Sequence, residues 1–107
     1  MSIFTLRDLE TRVQERAKAS ADVSYTRKLL DRGVAHCAKK LGEEAVETAL
    51  AAVVEDRDRL IAEAADLLYC LLVVLHARGI TLADVEAALA ERTKQSGLEE
   101  KASRKSG

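Results

Sequence analysis

Two segments decide the fold of this chain: KKLGEEAVETALAA at residues 39–52 and EAADLLYCLLVVL at residues 63–75. Each carries acidic residues three positions apart, a spacing that brings side chains to one face of an α-helix. Glu44 and Glu47 therefore point the same way, and so do Glu63 and Asp66. Because a short charged turn joins the two segments, we predict antiparallel neighbouring helices whose four carboxylates can meet.

The second acidic pair stands in an apolar background. From Leu60 to Leu75 apolar side chains occupy more than half of the helix circumference, so most of this helix must be covered. Carboxylates at the border of such a surface are costly unless they are paired or metal-bound. An all-oxygen cluster suits hard divalent cations such as Mg²⁺. The alternative is a solvated face or an ion-pair ladder, which is the usual meaning of a single acidic pair.

Composition indicates one all-α domain over residues 1–107. Proline is absent, aromatic residues make up 3%, and strong helix formers dominate. The 17 basic and 18 acidic residues nearly balance, which disfavours a nucleic-acid surface. Two cysteines fit neither a disulfide framework nor a zinc motif, and the N-terminus does not resemble a signal peptide. The longest apolar run, residues 67–75, is too short for a bilayer, so we expect a reduced cytoplasmic protein without membrane contact.

Capping signals divide the chain into four to five helices of an antiparallel bundle. The expected helices are Leu6–Ala19 after Thr5, Tyr25–Arg32 after Ser24, Val34–Glu55, a helix from Asp56 or Asp58 to Arg78, and one from Thr81 to about Lys94. The expected inward residues are Leu41, Ala45, Ala49 and Ala52 in the helix from Val34, and Leu82, Val85 and Leu89 in the last helix. Apolar residues spread widely around the helix at 60–75 also predict a homodimer, because one subunit cannot cover them comfortably.

Three further stretches are candidates for anion binding. SYTRKLL at residues 24–30 places hydroxyls and cations at a helix N-terminus, although an ordinary cap with solvated charges explains the same spacing. Lys40 either pairs locally with Glu43 and Glu44 or holds a phosphate. The polar tail at 95–107 carries cations that could reach a phosphorylated ligand, namely Lys101, Arg104 and Lys105.

With these segments and the tail RTKQSGLEEKASR, the chain resembles the phosphoribosyl-ATP pyrophosphohydrolases, a branch of the MazG-like all-α nucleotide pyrophosphatase superfamily, over residues 24–104. The resemblance implies Mg²⁺-dependent cleavage of the α–β phosphoanhydride of phosphoribosyl-ATP. The products are phosphoribosyl-AMP and pyrophosphate, in the second step of histidine biosynthesis. It also implies a helical homodimer with sites near the subunit interface.

The same resemblance assigns roles to individual residues. The implied metal ligands are Glu44, Glu47, Glu63 and Asp66, while Glu43 becomes an outer-shell or water-orienting carboxylate that shares the catalytic role with Glu47. The implied substrate contacts are Ser24, Tyr25, Thr26, Lys28, Lys40, Lys101 and Arg104. Cys70 departs from the pattern, because related sequences often have histidine there, and we predict that it is a small core residue.

Three alternatives remain open from the sequence. A house-cleaning pyrophosphatase acting on dNTPs or NTPs would share the acidic motifs, but the SYT start and the tail argue against it. A non-catalytic helical dimerisation module would tolerate loss of the carboxylates. A di-iron carboxylate bundle expects Glu-x-x-His, and neither His36 nor His76 follows a glutamate by three.

Overall fold

The computed structural model of the protein describes residues 3–54 and 56–94. Within these ranges the chain forms five helices and no strand: α1 (Leu6–Ala17), α2 (Tyr25–Asp31), α3 (Val34–Val53), α4 (Arg57–Ala77) and α5 (Leu82–Arg92). The predicted all-α class is confirmed. Each helix lies where its capping signal predicts it, with its C-terminus one or two residues earlier than expected.

Side-chain caps start four of the five helices. Thr5 with Asp8, and Thr81 with Asp84, form reciprocal capping boxes at the starts of α1 and α5. Ser24 caps α2, and Asp56 rather than Asp58 caps α4. Such a cap is worth about 1 kcal/mol. Helix α3 differs, because it follows Gly33 at a φ of 96° and has no side-chain cap.

Helices α3 and α4 form an antiparallel hairpin with a regular seam. Buried and half-buried residues recur along both helices at alternating spacings of three and four, as in a coiled coil. We call them the α3–α4 seam: Cys37, Leu41, Glu44, Thr48 and Ala51 on α3, and Leu60, Glu63, Leu67, Cys70, Val74 and Ala77 on α4. Glu44 and Glu63 thus occupy positions at which an apolar side chain is the rule.

The other helices pack around one end of this hairpin. The core joins residues from all five helices, namely Val13, Leu29, Cys37, Leu72, Val73 and Leu82. Two hydrogen bonds add specific links. The Glu10 carboxylate accepts a bond from the Leu82 backbone N–H at 2.7 Å, which ties α1 to α5. The hydroxyls of Thr26 and Tyr69 lie 2.6 Å apart and tie α2 to α4.

The predicted inner faces of α3 and α5 are partly wrong. Ala45, Ala49 and Ala52 are exposed, because α3 meets α4 along the seam that contains Glu44 and Ala51. Leu89 is 55% exposed, whereas Leu82 is buried. The described part of the chain covers only the N-terminal half of α5, so the second turn of its apolar stripe lacks a partner there.

An apolar stripe runs along the outside of α3. Val46, Leu50 and Val53 follow one another at spacings of four and three, and they are 60%, 55% and 77% exposed. We call these three residues the α3 outer stripe. Exposed aliphatic side chains aligned in this way are typical of an interface rather than of an isolated surface.

Helix α4 is long and apolar enough to cross a membrane, by length and composition alone. The core helix of a helical bundle meets the same condition. Here α4 packs along α3 and also contacts α1 and α2. The prediction that the protein makes no membrane contact stays a prediction.

Candidate active site

Three carboxylates converge in the α3–α4 seam. Glu44 from α3 and Glu63 and Asp66 from α4 each offer one oxygen, and these oxygens all lie within 4.8 Å of one another. We call these three residues the acidic cluster. Glu44 and Glu63 are half-buried while Asp66 is exposed, so the cluster is open to solvent on one side. The convergence follows from the three-residue spacing on α4 and from the antiparallel register that sets Glu44 opposite Glu63.

The proximity of these groups changes their protonation. A hydrogen bond with Glu47 raises the pKa of Glu63 to about 7, and burial and the charges of Glu47, Glu44 and Asp66 act in the same direction. Burial raises the pKa of Glu44, as do the charges of Glu47 and Asp66, while Lys40 opposes this effect. Repulsion of this kind is relieved by a proton or a cation.

The donor set fits a divalent cation. Among the described residues, Glu44 Oε2 and Glu63 Oε2 are buried and have no hydrogen-bond partner. Unpaired buried carboxylate oxygens are costly, and a bound ion would satisfy them. Three carboxylates and no nitrogen or sulfur ligand match the preference of Mg²⁺ for hard oxygen donors.

The other two predicted acidic residues lie at the rim. Glu47 is exposed and close enough to Glu63 to raise the pKa of that carboxyl, so it adjoins the acidic cluster but is not one of its three members. Glu43 and Glu47 line an open groove on the outer side of α3 with Gly42, Val46 and Leu50. A Cβ at Gly42 would meet no atom within 4 Å in the described part of the chain. Packing among the described residues therefore does not explain the glycine at this position.

A cavity with positively charged walls lies between α2 and the first half of α3. Its volume is about 470 Å³, within the usual range for ligand pockets. We call it the cationic pocket, and its lining residues are Ala21, Tyr25, Lys28, Leu29, Asp31, Arg32, His36 and Lys40. The structure thus brings together three of the predicted substrate contacts: Tyr25, Lys28 and Lys40.

Lys40 joins the cationic pocket to the acidic cluster. The phenol oxygen of Tyr25, followed by Glu43, Cys70 and Glu44, raises the pKa of Lys40 against the effect of burial. The Lys40 ammonium group therefore stays charged at neutral pH, beside both the pocket and the carboxylates. This position suits a phosphate contact at least as well as a local salt bridge.

Arg32 and His36 also line the cationic pocket, although neither was predicted as a site residue from the sequence. A signal was present, because Arg32, His36, Lys40 and Glu44 follow one another at intervals of four. That spacing aligns His36, Lys40 and Glu44 along one side of α3.

Two predicted substrate contacts have structural partners instead. Ser24 is buried, its hydroxyl donates to the Arg16 carbonyl at 2.8 Å, and it accepts the Arg27 backbone N–H. Thr26 is 1% exposed and bonds Tyr69. Neither residue lines the cationic pocket. Lys101 and Arg104 lie outside the described residues.

Cys70 belongs to the seam and is buried, as expected of a small core residue. Burial raises the pKa of its thiol, and the nearby Glu44 adds to the effect. Cys37, also buried, donates its thiol hydrogen to the Leu29 carbonyl at 3.2 Å. Both cysteines are free, as predicted.

An all-α hairpin with an acidic cluster in its seam and cations beside it matches the class indicated by the sequence motifs, the all-α nucleotide pyrophosphatases. The family model described as phosphoribosyl-ATP pyrophosphohydrolase matches residues 6–93. The chain belongs to this family.

Curated relatives agree over nearly the whole length. The phosphoribosyl-ATP pyrophosphatase 1 of Bradyrhizobium diazoefficiens is 65% identical over 98% of this chain and 99% of its own. The phosphoribosyl-ATP pyrophosphatase of Nitrobacter winogradskyi is 62% identical over 97% of this chain and 90% of its own. That of Rhizobium meliloti is 56% identical over 97% of each.

Proposed function

We propose that the protein hydrolyses the α–β phosphoanhydride of phosphoribosyl-ATP, giving phosphoribosyl-AMP and pyrophosphate in histidine biosynthesis, with Mg²⁺ as cofactor. The observation that carries this proposal is the convergence of Glu44, Glu63 and Asp66 beside a cationic pocket. Family membership supplies the identity of the substrate. No nucleophilic side chain is required, because phosphoryl transfer to water depends mainly on positioning and charge neutralisation.

The acidic cluster would hold the ion. Mg²⁺ bound there would neutralise charge on the anhydride oxygens and act as a Lewis acid. Glu44, Glu63 and Asp66 supply its carboxylate ligands, and Lys40 supplies a fixed positive charge on the pocket side of the cluster. Lys28 lines the cationic pocket from α2 and is suited to a second phosphate contact.

The rim carboxylates are suited to handling water. Glu47 is exposed and in contact with Glu63, so it can accept a hydrogen bond from a water molecule next to the acidic cluster. Glu43 is exposed beside Lys40, one helical turn before Glu47, and can also accept a hydrogen bond from a water molecule. We assign the water-orienting role to Glu47 first, because it contacts a member of the cluster.

We also propose a homodimer in the cytoplasm. The α3 outer stripe and the open groove at Gly42 lie on the side of α3 away from α4 and next to Glu43 and Glu47. A second copy packed there would bury these apolar groups and bring the partner subunit close to the acidic rim. The free, buried thiols of Cys37 and Cys70 accord with a reducing compartment.

A substrate panel tests the activity. We expect pyrophosphate release from phosphoribosyl-ATP that requires Mg²⁺ and stops with EDTA, and much slower release from ATP and dNTPs. Preference for dNTPs would instead support a house-cleaning pyrophosphatase. If the folded protein turns over none of these nucleotides in the presence of Mg²⁺, the result would support a non-catalytic helical dimerisation module.

A pair of isosteric variants tests the metal site. Asp66→Asn removes an anionic donor, so turnover should fall by orders of magnitude and the Mg²⁺-induced rise in melting temperature should be lost. Without Mg²⁺ its stability should hold or rise, because repulsion in the acidic cluster is relieved. Asp58→Asn on the exposed start of α4 is the matched control and should behave as wild type. Near-normal turnover of Asp66→Asn would rule out the ligand assignment.

A further inference from the structure

We propose that Arg32 and His36 bind the 5′-phosphate of the phosphoribosyl group, the part of phosphoribosyl-ATP that ATP lacks, and so determine substrate specificity. Both residues line the cationic pocket, at its end away from the acidic cluster. This inference rests on the proposed function and concerns which part of the substrate each cation contacts.

Position along α3 separates two sets of basic side chains. Lys40 lies one turn before Glu44, whereas His36 lies two turns before it, about 12 Å along the axis at 1.5 Å per residue. Arg32 is the C-cap residue of α2 and precedes His36 by four residues, so it is still farther from Glu44 along the chain. An anhydride held at the acidic cluster is therefore within reach of Lys40 but remote from Arg32 and His36.

The substrate has a matching second anion. In phosphoribosyl-ATP the triphosphate and the additional 5′-phosphate are attached through separate riboses to one purine, so the two anionic groups cannot coincide. A pocket for the whole molecule needs positive charge at two separated places. Lys40 with the acidic cluster provides the first place, and Arg32 with His36 and Lys28 provides the second.

The basic side chains at the end of the pocket away from the acidic cluster are available for a ligand. Within the described residues, none of Lys28, Arg32 and His36 forms an ion pair. The acidic residue of the pocket wall, Asp31, is engaged by Arg27 at 2.9 Å. A guanidinium group with free donors is well suited to a phosphate, because it can bind two oxygens at once.

The first turn of α3 adjoins this end of the pocket. His36 belongs to that turn, and α3 is the helix that begins without a side-chain cap. Uncapped amides and the helix dipole give such an end a partial positive charge. The ring of Tyr25 and the side chain of Ala21 also line the pocket and offer apolar surface of the kind a purine packs against.

The test compares two substrates in matched variants. Arg32→Gln, His36→Gln and the double variant remove the proposed contacts, and Arg78→Gln removes the corresponding C-cap arginine of α4 as a control. For phosphoribosyl-ATP, KM should rise about 10- to 100-fold in the double variant, the range for loss of charged hydrogen bonds, with kcat little changed. ATP, measured as a weak substrate or as a competitive inhibitor, should bind as tightly to the variants as to wild type.

A second readout uses the isolated phosphoribosyl arm. Ribose 5-phosphate should inhibit wild type and Arg78→Gln competitively against phosphoribosyl-ATP, and it should fail to inhibit the double variant. Arg32→Lys should retain part of the inhibition, since it keeps the charge. Melting curves should match wild type, because Arg32 is exposed and His36 half-buried.

Three results would overturn the inference. An equal loss of affinity for phosphoribosyl-ATP and for ATP in the double variant would indicate that Arg32 and His36 bind the triphosphate. Unchanged kinetics in the double variant would remove both residues from the substrate site. A wild-type protein that does not turn over phosphoribosyl-ATP would refute the proposed function itself, and this is seen before any variant is made.

Discussion

The ionisation of Glu63 is controlled by its place in the α3–α4 seam. Its pKa rises from an ordinary value of 4.5 to about 7, because it hydrogen-bonds Glu47, is shielded from water and faces other carboxylates. In the metal-free protein this side chain is therefore partly protonated near neutral pH. A divalent cation has to displace that proton, so metal binding is expected to weaken below pH 7.

Metal-free protein should lose stability as pH rises from about 4.5 to 7. In that window the folded state binds the Glu63 proton more tightly than the unfolded chain does, so each step to higher pH favours unfolding. Melting temperatures measured in EDTA should decline across this range and level off above it. Glu63→Gln, which cannot titrate, should show a flatter profile. A wild-type melting temperature that rises between pH 5 and 7 would contradict the raised pKa.

The spacing of residues within one helix predicted part of the candidate site, whereas features that depend on packing between helices were not predicted. The three-residue spacing of acidic residues led us to predict a cluster of four carboxylates, and three of them, Glu44, Glu63 and Asp66, meet, while Glu47 lies at the rim. The sequence did not reveal the contribution of Arg32 and His36, because the cationic pocket forms only when α2 folds against α3. The substrate-binding roles of Ser24 and Thr26 stay predictions, since hydroxyls near a helix start also serve as caps and as interhelical links, as both do here.

A side-chain hydrogen bond adds to the core packing that holds helix α2 against α4. Thr26 is 1% exposed and its hydroxyl lies 2.6 Å from that of Tyr69. The helix is short, with only seven residues, so it cannot depend on its own propensity for stability. Because α2 also carries Tyr25 and Lys28, this contact fixes one wall of the cationic pocket.

Thr26→Val should destabilise the protein by about 1–2 kcal/mol, because the Tyr69 hydroxyl loses its partner while the volume stays the same. Chemical denaturation would measure the loss. The double variant Thr26→Val with Tyr69→Phe should recover much of it, since no unsatisfied group remains. A fall in kcat/KM with unaltered stability would instead make Thr26 a direct substrate contact.

At the element scale, the ends of the helices were more predictable than their faces. Capping residues act through bonds to backbone three positions away, so Thr5, Ser24 and Thr81 could be recognised without knowledge of the fold. The inner face of α3 depends on its partner. Its alanines spread around the circumference and allow two orientations, so the alanine pattern alone does not identify the face of α3 that meets α4.

The residues that the structure describes leave the α3 outer stripe exposed and without a packing partner. In the homodimer we propose, this stripe lies in the interface, so Leu50→Glu should give monomers in sedimentation experiments at micromolar concentration while wild type gives dimers. Leu89→Glu is a matched control, because Leu50 and Leu89 are both 55% exposed. Dissociation by the change at Leu89 alone would move the interface to α5, and a monomeric wild type would refute the dimer.

Two positions in the α3–α4 seam, Glu44 and Glu63, lower the stability of the free protein. Leucine at positions 44 and 63 would continue the apolar pattern of Leu41, Leu60 and Leu67, and would remove two half-buried carboxylates that repel each other. Selection for a durable fold alone would favour that replacement. The free protein is therefore poorly optimised at the place where it is proposed to work, as in other enzymes whose active sites sacrifice stability. A redesign for stability should therefore keep Glu44 and Glu63 and introduce its substitutions at the helix caps and in the second half of α5.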